Sequence, residues 1–477
     1  MTDRNEAREL IDNVVDAGSF ATWDDPIDIS GHDVSYQDTL RDAAERAGAD
    51  EAVITGRASI GGHGVALIVS EFGFLGGSIG RATAQRIVTA VTYATEQRLP
   101  LLAAPCSGGT RMQEGTPAFV EMITITRAIL AHKTAGLPYL VYLRHPTTGG
   151  VFASWGSLGH ITMAEPKALI GFLGPRVYEA VHGTPFPAGV QDAENLGEHG
   201  IIDDVVPIDE LATVTARALR LLSPSHPPDT SPPPRNPMPR ERTDTPWDSV
   251  RRTRRHDRPG VTDLLHHAAD DALQLHGTGA GERDNGLVLA LASLGGIHCV
   301  LIGQDRRAPV GPAGLRQAQR GMRLAENLRL PLVAIIDTPG AELSREAEQG
   351  ALAGEIARSV AAMTALTVPT VSVLLGQGCG GAALALLPAD RVISAEHGWL
   401  SALPLEGASA IVHRDTLHTA EMATRQRIAA PDLIAAEIAH HIVAEPPDAH
   451  QDPRGFSRAI ATACATHLRE LAGGTVQ

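Results

Sequence analysis

Lysine is almost missing from this chain of 477 residues: Lys133 and Lys167 are the only two, against 40 basic residues in all. So complete a preference for arginine, in core and loop alike, reads as codon usage. No arginine is therefore credited with phosphate recognition for its type alone. Cysteine is scarce as well. Cys106, Cys299, Cys379 and Cys464 show no C-x-x-C spacing, which argues against a structural zinc site or a redox pair, and no metal is expected in this chain. The charged start, Met1-Thr2-Asp3-Arg4-Asn5-Glu6, runs directly into an amphipathic pattern at Leu10, Ile11, Val14 and Val15. With so few cysteines, this predicts a cytoplasmic protein without a signal peptide.

An excess of positive charge is also lacking. The formal net charge of -15 excludes nucleic-acid or anionic-membrane binding through overall charge, while leaving room for an anionic ligand held by a local cluster of donors. Long apolar runs are few. The stretch from Arg358 to Asp390 carries no charge between its ends, but Pro369, Gly376, Gln377, Gly378, Gly380 and Gly381 interrupt it. A buried helix, a buried strand and a glycine turn describe it better than a membrane span.

What is present is an ordinary soluble balance, 43% hydrophobic and 20% charged, in a chain long enough for two or three cores. Prolines cluster between Pro224 and Pro246, through Pro227-Pro228, Pro232-Pro233-Pro234, Pro237 and Pro239. Such a segment is expected to be extended and solvated. It divides the chain into an N-terminal domain over 1–222, a linker over 223–250 and a C-terminal domain over 251–477.

The two halves resemble each other. Arg98-Leu99-Pro100 recurs 231 residues on as Arg329-Leu330-Pro331, and the same spacing relates Pro138 to Pro369, Gly149-Gly150 to Gly380-Gly381 and Ala164-Glu165 to Ala395-Glu396. Upstream, Gly61-Gly62 recurs as Gly295-Gly296 at a spacing of 234. One spacing held across glycine, proline and charged positions marks a duplicated unit.

Each unit alternates strand and helix, which predicts an α/β fold. Val65–Val69 has strand length, and Ala84, Ile87, Val88 and Val91 form one helical face. Leu99–Ala104 and Tyr139–Leu143 read as further strands. Thr116-Pro117 suits the start of the helix between them, with Phe119, Met122, Ile123 and Ile129 on its apolar face. The second unit repeats the order with strands at Leu332–Ile336 and Thr370–Leu375, the latter followed by a turn over Gly376–Gly381. Each unit thus places two glycine turns where strands run into helices. They are Ser107-Gly108-Gly109 and Gly149-Gly150, then Thr338-Pro339-Gly340 and Gly380-Gly381. Free backbone N–H groups point outward at such turns, glycine admits a ligand close to the chain, and two converging donors would steady an oxygen gaining charge. A single Gly-Gly pair is more often only a tight turn. Four at matched positions point to function.

Three segments carry a resemblance. They are Cys106-Ser107-Gly108-Gly109-Thr110-Arg111-Met112-Gln113-Glu114-Gly115, Gly76-Gly77-Ser78-Ile79-Gly80, and Pro146-Thr147-Thr148-Gly149-Gly150-Val151. Together with Ala164-Glu165-Pro166, Ile170-Gly171-Phe172 and Gly174-Pro175-Arg176, the first half resembles the β subunit of bacterial acetyl-CoA carboxylase carboxyltransferase. The second half is similar to the α subunit, through Asp337-Thr338-Pro339-Gly340-Ala341, Gly381-Ala382-Ala383-Leu384-Ala385 and Glu406-Gly407. The resemblance implies two tandem crotonase (ClpP)-like domains and a homo-oligomer, with each active site between the first half of one protomer and the second half of another. It implies that Gly149 and Gly150 hold the acyl-CoA carbonyl, and that Gly381 and Ala382, beside Gly380, hold the ureido oxygen of biotin. In the implied reaction carboxybiotin releases CO2 and then takes the substrate α-proton, so no side chain need act as base. Gly108, Gly109, Arg111 and Gly340, in the companion turns, are the candidate cofactor-binding residues; Arg111 could pair with CoA phosphate or hold its own loop. A Met-Lys-Met biotin-attachment signal and a G-x-x-x-x-G-K loop are both missing. Biotin is therefore expected on a separate carrier protein, charged by a separate biotin carboxylase.

The chain departs from the family pattern in three places. The four-cysteine zinc ribbon is missing, Glu342-Leu343-Ser344 stands where Tyr-Pro-Gly is expected, and Ala408 follows Glu406-Gly407 in place of cysteine. Of the remaining residues, Cys106 and Cys379 lack a motif-placed histidine and read as small buried side chains. His145 reads as a polar loop position, with substrate carboxylate as its minor role. The run Arg251-Arg252, Arg254-Arg255 reads as a solvated face, with an acidic carrier as the minor reading. Two rival functions remain. One is a malonyl-thioester decarboxylase of the same fold, disfavoured by Pro146–Gly150; the other is a non-catalytic assembly subunit, disfavoured by intact glycine turns in both halves.

Overall fold

The computed structural model describes residues 7–223 and 244–473. Two units emerge. Unit one runs to Arg220 and takes in Gly279–Gly281, and unit two is the remainder.

In unit one the strands are β1 (Ala21–Thr22), β2 (Val53–Ile60), β3 (His63–Ser70), β4 (Leu101–Ala104), β5 (Tyr139–Leu143), β6 (Thr147–Thr148), β7 (Ile161–Ala164), β8 (Ile170–Gly171) and β9 (Asp204–Val205). Seven form one sheet in the order β1-β2-β3-β4-β5-β7-β9, antiparallel as far as β3 and parallel beyond it, while β6 pairs β8 apart. Unit two has β10 (Asp271–Leu275), β11 (Leu287–Leu294), β12 (Ile297–Gln304), β13 (Leu332–Thr338), β14 (Thr370–Cys379), β15 (Arg391–Ala395), β16 (Trp399–Ser401) and β17 (His441–Val443). Its order β10-β11-β12-β13-β14-β15-β17 repeats the same directions, with β16 added beside the end of β14. The duplication read from spacing is therefore a duplication of topology.

Local chemistry repeats with it. The β2–β3 hairpin turns at Gly61 and Gly62, both left-handed, and the Asp16 carboxylate accepts their N–H groups at 2.9 and 2.8 Å. The β11–β12 hairpin turns at Gly295 and Gly296, with Asp270 accepting from Gly296 at 2.8 Å. Each first crossover helix, Arg81–Glu96 and Pro312–Leu328, is followed by an arginine at positive φ, Arg98 at 53° and Arg329 at 54°. The next leucine then reaches back to the helix, Leu99 to Ala94 O and Leu330 to Ala325 O, and proline follows where the helix cannot continue.

The strands are buried along nearly their whole length, as parallel strands covered on both faces must be. In unit one Ile68, Ile87, Leu101, Ile129, Tyr139 and Trp155 share a single core cluster. In unit two Leu301, Val333, Ile335, Val373, Ile393 and Ile460 do the same. Among the described residues no helix is long and apolar enough to cross a membrane.

Three expectations change. The linker expected over 223–250 falls largely on 224–243, outside the described residues, but its last part is folded. Thr245 caps a helix over Pro246–Thr253, and Val250 packs with Cys379 and Trp399. Second, β14 does not end before Gly376. It continues to Cys379, because the buried Asp337 carboxylate accepts the Gln377 N–H at 2.9 Å and β16 pairs with Gln377–Cys379. Gly376 and Gly378 are strand positions, where a Cβ would come within 2.6 Å of Asp337 Oδ1 and 2.5 Å of Trp399 O. Third, the helix expected to begin at Thr116 begins at Gly115, after the N–H groups of Glu114 and Gly115 have both turned back to Arg111 O. It buries Met122, Ile125 and Ile129, but leaves Phe119 and Ile123 exposed.

Candidate functional site

In unit one β5 leads through β6 into a four-residue helix, Gly149–Phe152. Thr148 is extended and Gly149 bends at φ 64°, which sends the next peptide N–H groups outward. Gly149 N–H donates to Phe172 O at 3.0 Å, so this half of the expected pair is engaged. Among the described residues no acceptor stands against the N–H of Gly150 or Val151, as the first turn of a helix requires. The companion turn lies alongside: Gly109, at φ 107°, would bring a Cβ within 3.6 Å of Gly149 Cα. Ser107 Oγ accepts Gly109 N–H at 3.0 Å and Gly108 N–H donates to Gly76 O at 2.9 Å, fixing that loop from below. The two turns singled out in this half are thus brought together.

Arg111 does not line the surface. Its side chain is 1% exposed, ion-paired with Glu51, and 3.4 Å from Glu114 Oε1. The same guanidinium donates to Ser78 O at 2.8 Å and Thr83 Oγ1 at 3.1 Å, and lies 5.2 Å from the centroid of Phe74. Tyr36 closes the cluster with a 2.7 Å hydrogen bond to Glu114. Of the two roles weighed for Arg111, this geometry serves the second, holding its own loop. A CoA phosphate would find its donors already occupied.

Unit two repeats the backbone with different supports. Cys379 is extended, Gly380 bends at φ 67°, and the helix Gly380–Leu384 follows. No acceptor among the described residues stands against the N–H of Gly381 or Ala382. Thr338 Oγ1 accepts Gly340 N–H at 3.1 Å, the counterpart of Ser107 and Gly109, and Gly340 has φ 139°. Two buried side chains brace this turn. Gln304, the last residue of β12, donates from Nε2 to Ala382 O at 2.6 Å, and Asp337 holds Gln377 as described. Burial pushes the Asp337 carboxyl up, while Arg306, 3.5 Å from its Oδ2, draws it back.

The other residues weighed fall into structural places. Cys379 is fully buried, and burial pushes its thiol up to about 11, far from a thiolate nucleophile at neutral pH. Cys106 is buried and its Sγ lies 3.0 Å from His145 O. His145 accepts Leu169 N–H at Nδ1, 3.0 Å away, and its own N–H donates to Glu165 at 2.9 Å. The arginine run is paired with carboxylates: Arg251 with Asp248, Arg252 with Asp448, Arg254 with Glu406 and Arg255 with Asp257. Sequence reasoning missed Gln304, Glu51 and the Phe172 carbonyl. Gln304 could have been flagged as the polar end of a strand whose matched residue in unit one is Ser70. Glu51 and Phe172 carry no such signal.

Paired turns repeated in two matched units call for comparison with known proteins. Residues 2–472 match the family model described as the carboxyl transferase domain. The chain belongs to the carboxyl transferase domain family. Within that family it is 55% identical, over 96% of its length and 93% of the relative's, to a probable biotin-dependent acyl-coenzyme A carboxylase beta3 subunit of Mycobacterium tuberculosis. It is 36% identical, over 98% of its length and 87% of the relative's, to the acetyl-coenzyme A carboxylase carboxyl transferase subunits beta/alpha of Salinispora arenicola. Among solved structures, transcarboxylase 12S, described as a hexamer with methylmalonyl-coenzyme A bound, matches with a TM-score of 0.73 at 22% identity, covering 97% of this chain and 89% of that one. A single-chain long-chain acyl-CoA carboxylase matches with a TM-score of 0.74 at 18% identity, over 98% of this chain and 46% of that one. These structures speak for the fold alone. The expected pair of crotonase-like α/β units is borne out, and so is the family resemblance read from the motifs.

Proposed function

We propose that this chain is the carboxyltransferase component of a biotin-dependent acyl-CoA carboxylase. It would work in the cytoplasm, moving a carboxyl group from carboxybiotin on a separate carrier protein to acetyl-CoA or another short acyl-CoA. With acetyl-CoA the product is malonyl-CoA, the building unit of fatty acids. A distinct biotin carboxylase recharges the carrier, and the chain works as a homo-oligomer with each site completed across two protomers. Relatives named as carboxylase subunits support this reading, as does the lack of a biotin-attachment signal.

The observation that carries the reading is the pair of matched turns, each bent at a left-handed glycine and each leaving two peptide N–H groups without an acceptor among the described residues. In unit one Gly150 donates to the thioester oxygen, and Gly149 supplies the bend that aims it. In unit two Gly381 and Ala382 donate to the ureido oxygen of biotin. The carboxylated carrier supplies the CO2 and, after releasing it, the base. The protein's part is to place two carbonyl oxygens against fixed donors, which cost no reorganisation as charge grows. A single donor of this kind is worth about 100- to 1000-fold in rate.

The test is the carboxyl transfer run in reverse. The purified chain should release CO2 from malonyl-CoA or methylmalonyl-CoA only when biotin or biocytin is added. Release without biotin would identify a thioester decarboxylase, and no turnover with any acyl-CoA would identify an assembly subunit. A panel of acyl-CoAs with the reconstituted carrier and biotin carboxylase then assigns the substrate.

A further inference from the structure

We infer that Gln304 is a positioning residue for the turn of unit two, acting through the Ala382 peptide; this rests on the reading above, in which that turn receives biotin. Gln304 is fully buried and ends β12. Its Nε2 donates to Ala382 O at 2.6 Å, while its Oε1 has no partner among the described residues. The short helix Gly380–Leu384 cannot satisfy Ala382 O by itself, because the Leu386 N–H is already given to Ala383 O and the Ala385 N–H to Gly381 O. The amide side chain is therefore what fixes the plane of the Ala382–Ala383 peptide, next to the Gly381 and Ala382 N–H groups. An amide turned the other way would set oxygen against oxygen, so the donor assignment follows from the contact itself.

Stability alone does not account for this side chain. A buried amide left with an unsatisfied oxygen costs on the order of 1–3 kcal/mol, which an apolar residue of equal volume would avoid. The matched residue, Ser70, shows the alternative: its hydroxyl is buried without a partner among the described residues. In unit one the matched carbonyl, Val151 O, is held instead by Ser154, through its N–H at 3.3 Å and its Oγ at 3.4 Å, and the counterpart of Ser154 in unit two is Ala385. The two units have exchanged the side from which the turn is braced.

The test compares Gln304→Met, Gln304→Glu and Ser70→Ala with the wild-type chain in biocytin-dependent malonyl-CoA decarboxylation. Gln304→Met should raise KM for biocytin or lower kcat about tenfold, the worth of one net hydrogen bond, with KM for malonyl-CoA unchanged. Ser70→Ala should match wild type in both constants. In Gln304→Glu only a protonated carboxyl can donate to Ala382 O. Activity relative to wild type should therefore fall as pH rises, a profile that loosened packing would not produce. Equal changes in both KM values, or no change with Gln304→Met and a flat pH ratio with Gln304→Glu, would overturn the inference. Should Gln304→Met fail to fold, the Gln304→Glu pH ratio decides alone; should both fail, Gln304 is a folding residue and the inference falls. Biocytin-independent turnover by the wild-type chain would instead sink the functional reading, and the role of Gln304 with it.

Discussion

The turn of unit one and the turn of unit two share a backbone and almost nothing else. Gly149 and Gly380 bend at 64° and 67°, and Ser107 and Thr338 accept the N–H two residues on with their hydroxyls. Yet Cys106 stands where unit two has the buried carboxylate Asp337, Ser70 where it has Gln304, and Arg111 where it has Glu342. Unit one ties Gly149 N–H to the carbonyl of the exposed Phe172, while unit two braces its turn with Gln304 and Asp337. Donor geometry is thus the common requirement, and the scaffolding behind it is free to differ. That division suits the proposed reading, in which the two turns receive different carbonyl groups.

The hardest test of this comparison is at the second glycine of each turn. Gly150→Val and Gly381→Val should each cut biocytin-dependent decarboxylation by about 100-fold or more, measured as kcat. Only Gly381→Val should also lower the thermal midpoint, because its Cβ would meet Ile356 Cδ1 at 2.7 Å, while at Gly150 the nearest atom is Met122 Cγ at 3.5 Å. Undiminished activity in Gly150→Val would remove the acyl-CoA carbonyl from that turn.

Arg111 and Glu342 should separate next. Arg111→Met leaves Glu51 buried without its cation and should cost about 3–5 kcal/mol in denaturant unfolding. Glu342→Met, whose carboxylate meets Ser344 in a half-buried loop, should stay within about 1 kcal/mol. A raised KM for acyl-CoA in Arg111→Met with stability intact would restore the phosphate role.

Acid should unsettle unit two at the Glu355 carboxylate. Hydrogen bonds from Arg358, then from Arg316 and Gln319, hold the Glu355 carboxyl at about 2, against an ordinary 4.5. Its folded value lies below its unfolded one, so its contribution is full above 4.5 and is lost as pH falls from 4.5 towards 2. Unfolding midpoints across that range should steepen in the wild type and flatten in Glu355→Gln. The smallest effect belongs to the basic run: Arg254→Ala breaks a part-exposed pair with Glu406 and should change stability by about 0–1 kcal/mol.

The alternation of strand and helix, the duplication and the four turns were legible because glycine, proline and apolar spacing report directly on backbone geometry. The extension of β14 was not. Gly376 and Gly378 look like turn residues until one sees that Asp337 and β16 press against a strand there. Nor could Arg111 be resolved from its motif, since its partner Glu51 lies 60 positions away and no local pattern announces it. The hydrogen bond that occupies Gly149 N–H is accepted by a main-chain oxygen, which every residue type possesses.

Gly376 and Gly378 also determine how this protein can be altered. A methyl group at Gly376 collides with Asp337, and one at Gly378 collides with the main chain of Trp399. The first clash can be relieved by shortening its neighbour, for example Gly376→Ala combined with Asp337→Ser; the second cannot be relieved by any side-chain exchange. Libraries that vary one codon at a time will score both sites as forbidden. Paired libraries should reopen Gly376 alone, so evolutionary paths that remodel this strand run through coupled double steps.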